Sequence, residues 1–224
     1  LKRVAAKETS DYIRSLHKSN GVNIKEAIGL DKLEIFSEKV VRASLTDGSD
    51  VNVDFVIVGI GITPNTELAE SANLKINNGI LINEKCQTSV SNIYAAGDCT
   101  SFKYKNTLVR LESVGNAIDQ ATTVAQNIMK QNTSYTPKPW FWSDQYDLKL
   151  QIAGLNTGYD EVVVRKGESR QVSHWYYKGE SLLAVDALND PRCYMIGKRL
   201  IEANKSPSKN QLRDENFNLK VLLK

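Results

Sequence analysis

The sequence is poor in the residues that would point to metal or thiol chemistry. Its 224 residues include three cysteines, Cys86, Cys99 and Cys193, and only two histidines. No CxxC pair and no zinc-type spacing occurs, so neither a metal centre nor a dithiol redox couple has support. So few thiols exclude a disulfide-built scaffold and fit a reducing cytoplasm. No apolar run approaches the ~20 residues that a membrane-spanning helix needs. The first residues, LKRVAA, have no apolar core of the secretory kind. There is no P-loop, no GxSxG and no GxGxxG. No dense basic stripe is present either, which argues against nucleic acid as a partner.

What is present is ordinary for a globular protein. Hydrophobic residues make up 41% and charged residues 25%. The length suits one large domain or two small ones. The net charge of +3 is unevenly spread: residues 1–136 hold 15 Lys/Arg and 15 Asp/Glu, so the excess lies in residues 137–224. That end is either a plain solvated surface or a docking face for an acidic partner.

Apolar spacing predicts a helix over residues 3–20, stopped by Asn20-Gly21, and a short strand at 22–24. Strands are expected at 33–36, 40–45 and 51–58, the last after the turn Thr46-Asp47-Gly48-Ser49. The run VDFVIVG is continuous and β-branched, the pattern of a strand buried on both faces. Gly59-Ile60-Gly61 follows it, and two glycines there permit close approach of the backbone. A second buried strand is expected at 92–99, ending in Gly97-Asp98. A helix is expected over 112–129, with a broad apolar face from Val114 through Ile118 and Ala125 to Ile128. The polar stretch 132–139 carries two prolines and reads as a domain boundary. Beyond it, short strands at 148–153, 161–165, 172–177 and 182–187 suggest an antiparallel sheet, followed by a helix at 191–203 with Pro191 near its start.

Three constellations could carry chemistry. Asp98, just past a strand end, could accept a hydrogen bond from a ligand hydroxyl, or merely close a turn. The N-terminus of the 112–129 helix, at Glu112, Ser113 and Val114, offers orphan N–H groups to an anionic ligand, or is simply the end of a core helix. Trp140-Phe141-Trp142 could pack in a core or stack on a planar ligand. The sequence around His17 and His174 shows no acid–nucleophile motif, and both read as structural or exposed residues.

Taken in order, GIGITPNTEL, IYAAGDCT, RLESVGNAIDQATTVAQNI and PWFWSDQYDLKLQIAG resemble the FAD-dependent ferredoxin and rubredoxin reductases. The resemblance covers nearly the whole chain, and the WSDQY element narrows the subfamily to the reductases of the putidaredoxin and aromatic-ring dioxygenase type. It implies an α/β fold with an α+β C-terminal domain: the C-terminal part of an NAD-binding domain (1–85), the closing segment of an FAD-binding domain (86–136) and an antiparallel-sheet interface domain (137–224). It implies FAD and NAD as cofactors, an iron–sulfur ferredoxin or a rubredoxin as partner, a cytoplasmic location and a homo-oligomer. By this resemblance Gly97 and Asp98 hold the flavin's ribityl chain, and Glu112, Ser113 and Val114 face its pyrimidine end. Trp142, with Trp140, lies at the exposed ring edge, and Gly59, Ile60 and Gly61 form the nicotinamide-side loop. The family's two glycine-rich motifs would precede Leu1, so these residues are expected to be inactive on their own. Two other readings stay open: a flavoenzyme of the same superfamily with another acceptor, and a cofactor-free module that dimerises or binds.

Overall fold

In a computed structural model, the 224-residue chain is described at residues 5–105 and 107–223. It divides into two units, residues 10–63 and the remainder. Helix α1, Lys7–Ser19, begins in the larger unit and continues into the smaller. It bears out, over Lys7–Ser19, the helix expected at 3–20, of which residues 3 and 4 lie outside the described residues; His17 and Lys18 stand in its last turn, where cations are favoured by the helix dipole.

The smaller unit has a three-stranded antiparallel meander, β1 (Leu30–Phe36), β2 (Lys39–Leu45) and β3 (Asp50–Asn52). The first two strands are those the sequence predicts, and Val22–Ile24 is not a strand. The buried strand expected over 51–58 is a correction. Only its first residues pair, with β2; the last bond is from the Val53 N–H to the Val41 carbonyl, and beyond it the backbone leaves the ladder. Ile57 is 84% exposed and Ile60 92%. A β-branched run becomes a strand only where a neighbour takes its N–H and C=O groups, and from Asp54 to Val58 there is none among the described residues.

The larger unit holds two sheets. The first is small: β4 (Ile80–Leu81) pairs parallel with β5 (Thr100–Tyr104), which pairs antiparallel with β6 (Thr107–Val109). A short helix, α2 (Glu67–Ser71), precedes it. The strand expected at 92–99 is a second correction: it is irregular backbone with one bridge, Gln87 to Tyr94. A long helix, α3 (Val114–Ile128), follows the sheet.

The second sheet is antiparallel, with five strands: β7 (Trp140–Gln145), β8 (Leu148–Gly154), β9 (Glu161–Lys166), β10 (Val172–Lys178) and β11 (Ser181–Leu188), in the order β7-β8-β11-β10-β9. The last four match the predicted strands. β7 was not predicted as a strand. One face of this sheet meets α4 (Pro191–Glu202), whose Asp190 caps the Cys193 N–H and whose Pro191 opens the first turn. Trp175, Tyr177, Val185, Ala187, Ile196 and Leu200 form the core between them. The short helix α5 (Lys209–Arg213) and a 3-10 helix at Leu219–Leu223 complete that layer. The Arg165 guanidinium donates to the carbonyls of Leu212, Asp214, Glu215 and Phe217 and so fastens this tail to β9.

Candidate functional site at the N-terminus of helix α3

Ser113 sits just before α3 in extended backbone, and its hydroxyl accepts the Asn116 N–H. That cap sets where the helix starts, one residue after the serine. The first-turn N–H groups have no intrahelical acceptors and carry the positive end of the helix dipole.

Gly97-Asp98 lies against the same helix. Gly97 has φ +89°, in the region that favours glycine, and its N–H donates to the side chain of Gln120 at 2.7 Å. Gln120 is fully buried and also accepts the Thr100 hydroxyl. The turn is thus locked to the middle of α3, and Asp98 is left exposed at its crest. Arg110, absent from the sequence reading, joins the pieces. Its guanidinium donates to the Asp98 carbonyl at 3.3 Å and pairs with the Glu112 carboxylate at 2.8 Å. An arginine two residues before an acidic one, next to an N-cap serine, was the signal that could have found it.

Trp140 and Trp142 share one face of β7, as residues two apart on a strand do. Their rings stack, with centroids 5.3 Å apart and planes 25° apart. Trp140 lies against Gly115 in the first turn of α3. Trp142 is the outer ring, 47% exposed. Phe141 points the other way and joins Phe102, Leu111 and Tyr135.

An open cavity of about 480 Å³ borders the helix start, lined by Arg110, Leu111, Glu112, Phe141, Ile152 and Asp186 among others. Neither Asp98 nor Trp142 lines it. The structure therefore gathers Gly97, Asp98, Glu112, Ser113, Val114, Trp140 and Trp142 around one helix end. Gly59, Ile60 and Gly61 belong to the smaller unit, in an exposed loop with open space where side chains would project.

The apolar face expected to bury α3 is a third correction. The helix buries Gly115, Asn116, Gln120 and Thr123. Val114, Ile118 and Ile128 are 56–60% exposed. The polar side is inward because it has hydrogen-bond work to do: Asn116 takes the Tyr135 hydroxyl and donates to the Leu111 carbonyl, and Gln120 holds the Gly97 turn.

A second polar cluster, also missed, lies under the other face of the five-stranded sheet. Thr9 donates to Asp186 Oδ2 at 2.7 Å, and Tyr176 donates to the same oxygen while accepting the Ala6 N–H. With the Thr9 proton committed, His174 Nδ1, at 2.6 Å, must be the donor to Thr9 Oγ1. His174 is therefore structural and neutral, and burial lowers its pKa to about 4. Asp186 sits in the apolar run LLAVDAL, and a lone carboxylate there was the available signal.

Residues 1–121 match the pyridine nucleotide-disulphide oxidoreductase family, and residues 140–223 match the reductase C-terminal family. The first match covers more than half the chain. The chain belongs to the pyridine nucleotide-disulphide oxidoreductase family. Among curated family relatives, it is 38% identical to putidaredoxin reductase of Pseudomonas putida and 35% identical to rhodocoxin reductase of Rhodococcus erythropolis, over its whole length in both. It spans 54% and 53% of those proteins, about half the length of the curated relatives it matches. Among solved structures, a ferredoxin reductase of Rhodopseudomonas palustris superposes with a TM-score of 0.96 at 34% identity, covering all of this chain and 56% of that one. Putidaredoxin reductase in its covalent complex with putidaredoxin gives 0.94 at 38% identity, covering all of this chain and 55% of that one.

The pyridine nucleotide-disulphide oxidoreductase family implies FAD and a nicotinamide nucleotide. The helix-end residues fit the first. An exposed carboxylate stands on a left-handed glycine turn, a serine caps the helix start, and the partly exposed Trp142 stacks on the Trp140 ring that lies against that helix. Arg110 Nε is buried there with no hydrogen-bond partner among the described residues. For the nucleotide, the chain offers the open Gly59–Gly61 loop and no phosphate-binding glycine motif.

Proposed function

We propose that this chain is the C-terminal portion of an FAD-dependent oxidoreductase that passes electrons from NADH, through FAD, to a ferredoxin or rubredoxin. The observation that carries the reading is the gathering of Asp98, Glu112, Ser113 and the stacked Trp140–Trp142 pair at one helix end. It is supported by relatives named as reductases of putidaredoxin, rhodocoxin and rubredoxin.

In this reading residues 1–85 close an NAD-binding domain, 86–136 close an FAD-binding domain, and 137–224 form the interface domain. FAD, when bound, supplies the hydride acceptor and the one-electron donor. The protein's part is position and electrostatics. Asp98 takes a ribityl hydroxyl, and Gly97 lets the chain come close. The backbone N–H groups of Glu112, Ser113 and Val114, at the start of the helix, stabilise negative charge at the pyrimidine end. The Glu112 carboxylate is held by Arg110. Trp142 covers the exposed ring edge, excludes water there and faces the acceptor protein. Gly59, Ile60 and Gly61 admit the nicotinamide side. Lys138 and Lys149, both exposed, form the rim that meets an acidic ferredoxin. The protein works in the cytoplasm as a homo-oligomer. Among the described residues no helix is long and apolar enough to cross a membrane.

The test is reconstitution with the full-length enzyme that carries this sequence. It should purify with bound flavin, be reduced by NADH and reduce a [2Fe–2S] ferredoxin or a rubredoxin. Flavin that NADH reduces without passing electrons to either protein would overturn the acceptor. A protein that takes up no flavin would overturn the whole reading.

A further inference from the structure

Gly115 is the second residue of α3. Glycine is a poor helix former, and nothing in a regular helix asks for it. Its φ is not in the left-handed region. Space is what demands it. A Cβ at this position would meet the indole of Trp140, 2.7 Å from Cε2 and 3.0 Å from Cζ2, and it would be closer still to Nε1. The obstructing atoms belong to a rigid ring whose strand is hydrogen-bonded to β8 from Trp140 to Gln145, so the backbone that carries the ring cannot back away. Trp140 in turn is the surface on which Trp142 stacks. The contacts form one chain: helix backbone, inner indole, outer indole.

We infer that Gly115 is a positioning residue for electron delivery: it admits the Trp140 ring against the first turn of α3, and that ring fixes the plane of Trp142. The inference rests on the reading of Trp142 given above. It goes beyond that reading by making a glycine of the helix backbone set the outer indole's orientation. Two stacked indoles couple their transitions and produce an exciton couplet in the far-ultraviolet circular dichroism, a signal that needs no flavin.

The test begins with Trp140→Phe and Trp142→Phe, each of which should abolish the couplet and so identify its source. Gly115→Ala should then lose more than about half of the couplet amplitude while helix content is kept, because the inner ring is displaced. A couplet unchanged in Gly115→Ala would overturn the inference. Should Gly115→Ala fold poorly, the double variant Gly115→Ala with Trp140→Phe decides. The smaller ring makes room for the methyl group, so the pair should melt higher than Gly115→Ala alone, a non-additive result. Strict additivity would overturn the contact. In the full-length enzyme, Gly115→Ala should slow reduction of the iron–sulfur acceptor about tenfold, as small misplacements do, and slow flavin reduction by NADH by a clearly smaller factor. A lost couplet with an unaltered acceptor rate would refute the role assigned to Trp142 while leaving Gly115 as the residue that seats the indole pair.

Discussion

Helices α3 and α4 are both amphipathic, yet they bury opposite kinds of face. Helix α4 turns Cys193, Tyr194, Ile196 and Leu200 onto the five-stranded sheet and points charge outward, where Lys198 pairs with Glu202. Helix α3 turns Asn116, Gln120 and Thr123 inward and leaves Val114, Ile118 and Ile128 exposed. An apolar stripe shows where a helix can be buried, and what it meets depends on the sheet available to cover it. For α4 that sheet is folded from the same residues. For α3, the described residues supply hydrogen-bonding loops, and the polar side wins because its amides have partners there.

The comparison predicts its largest effect in the α4 core. Trp175→Ala, beneath α4, should cost about 3–5 kcal/mol in urea denaturation, as large-to-small changes of fully buried aromatics do. Ile118→Ala on the outer face of α3 should stay within about 0.5 kcal/mol. A matching loss at Ile118 would mean that this face is packed in solution.

The next effect is on pH dependence. Burial lowers the His174 pKa to about 4 and raises that of Asp186 to about 6, the latter against hydrogen bonds from Tyr176 and Thr9. The negative charge of Glu8 opposes the histidine shift. Tyr176 and Thr9 face the carboxylate, and the Tyr159 ring lies edge-on to Tyr176. The neutral histidine contributes stability that is present above pH 6.5 and lost as pH falls toward 4. The carboxyl contributes stability that is present below pH 3.8 and lost as pH rises through 6. Each is worth about 3 kcal/mol, and they oppose one another between pH 4 and 6. Asp186→Asn should therefore unmask a steep acid loss across that window. His174→Gln should unmask a gain as pH falls. Denaturation midpoints across the window check both, and two flat profiles would break the account.

A smaller loss is expected at the tail that packs with α4. Arg165→Met leaves several carbonyls without their donor and should cost about 1–3 kcal/mol, with faster proteolysis after Leu212. The smallest effect is at the rim. Lys138→Glu with Lys149→Glu should lower the second-order rate with ferredoxin only at low salt, since exposed charges are screened beyond ~8 Å at physiological ionic strength. Ferricyanide turnover should be untouched. An unchanged ferredoxin rate at low salt would remove both lysines from docking.

The same contrast explains what the sequence showed and what it hid. Strands β8 to β11 alternate or run apolar between clear turns, and every neighbour they need lies within the same 50 residues or so, so local pattern and final structure agree. Residues 54–58 and 92–96 carry equally good strand patterns, yet the first has no ladder and the second a single bridge to Gln87, because a strand is a property of two segments. β7 was hidden by its aromatics and flanking prolines. The motif residues around α3 were legible as types and positions. Arg110, which ties Asp98 to Glu112, and the contact of Gly115 with Trp140 were not, since each depends on which loop meets which helix. The Thr9–His174–Asp186 cluster joins residues some 165 positions apart, a distance that no local pattern spans.

The most direct measurement is stopped-flow comparison of the two half-reactions in full-length enzyme carrying Trp142→Ala. The account places this indole between the flavin edge and the acceptor. Reduction of flavin by NADH should therefore proceed at nearly the wild-type rate, while electron transfer to the iron–sulfur protein slows and the melting temperature holds, as suits a side chain already 47% exposed. Equal slowing of both half-reactions together with a lowered melting temperature would show Trp142 to be a packing residue and contradict the account.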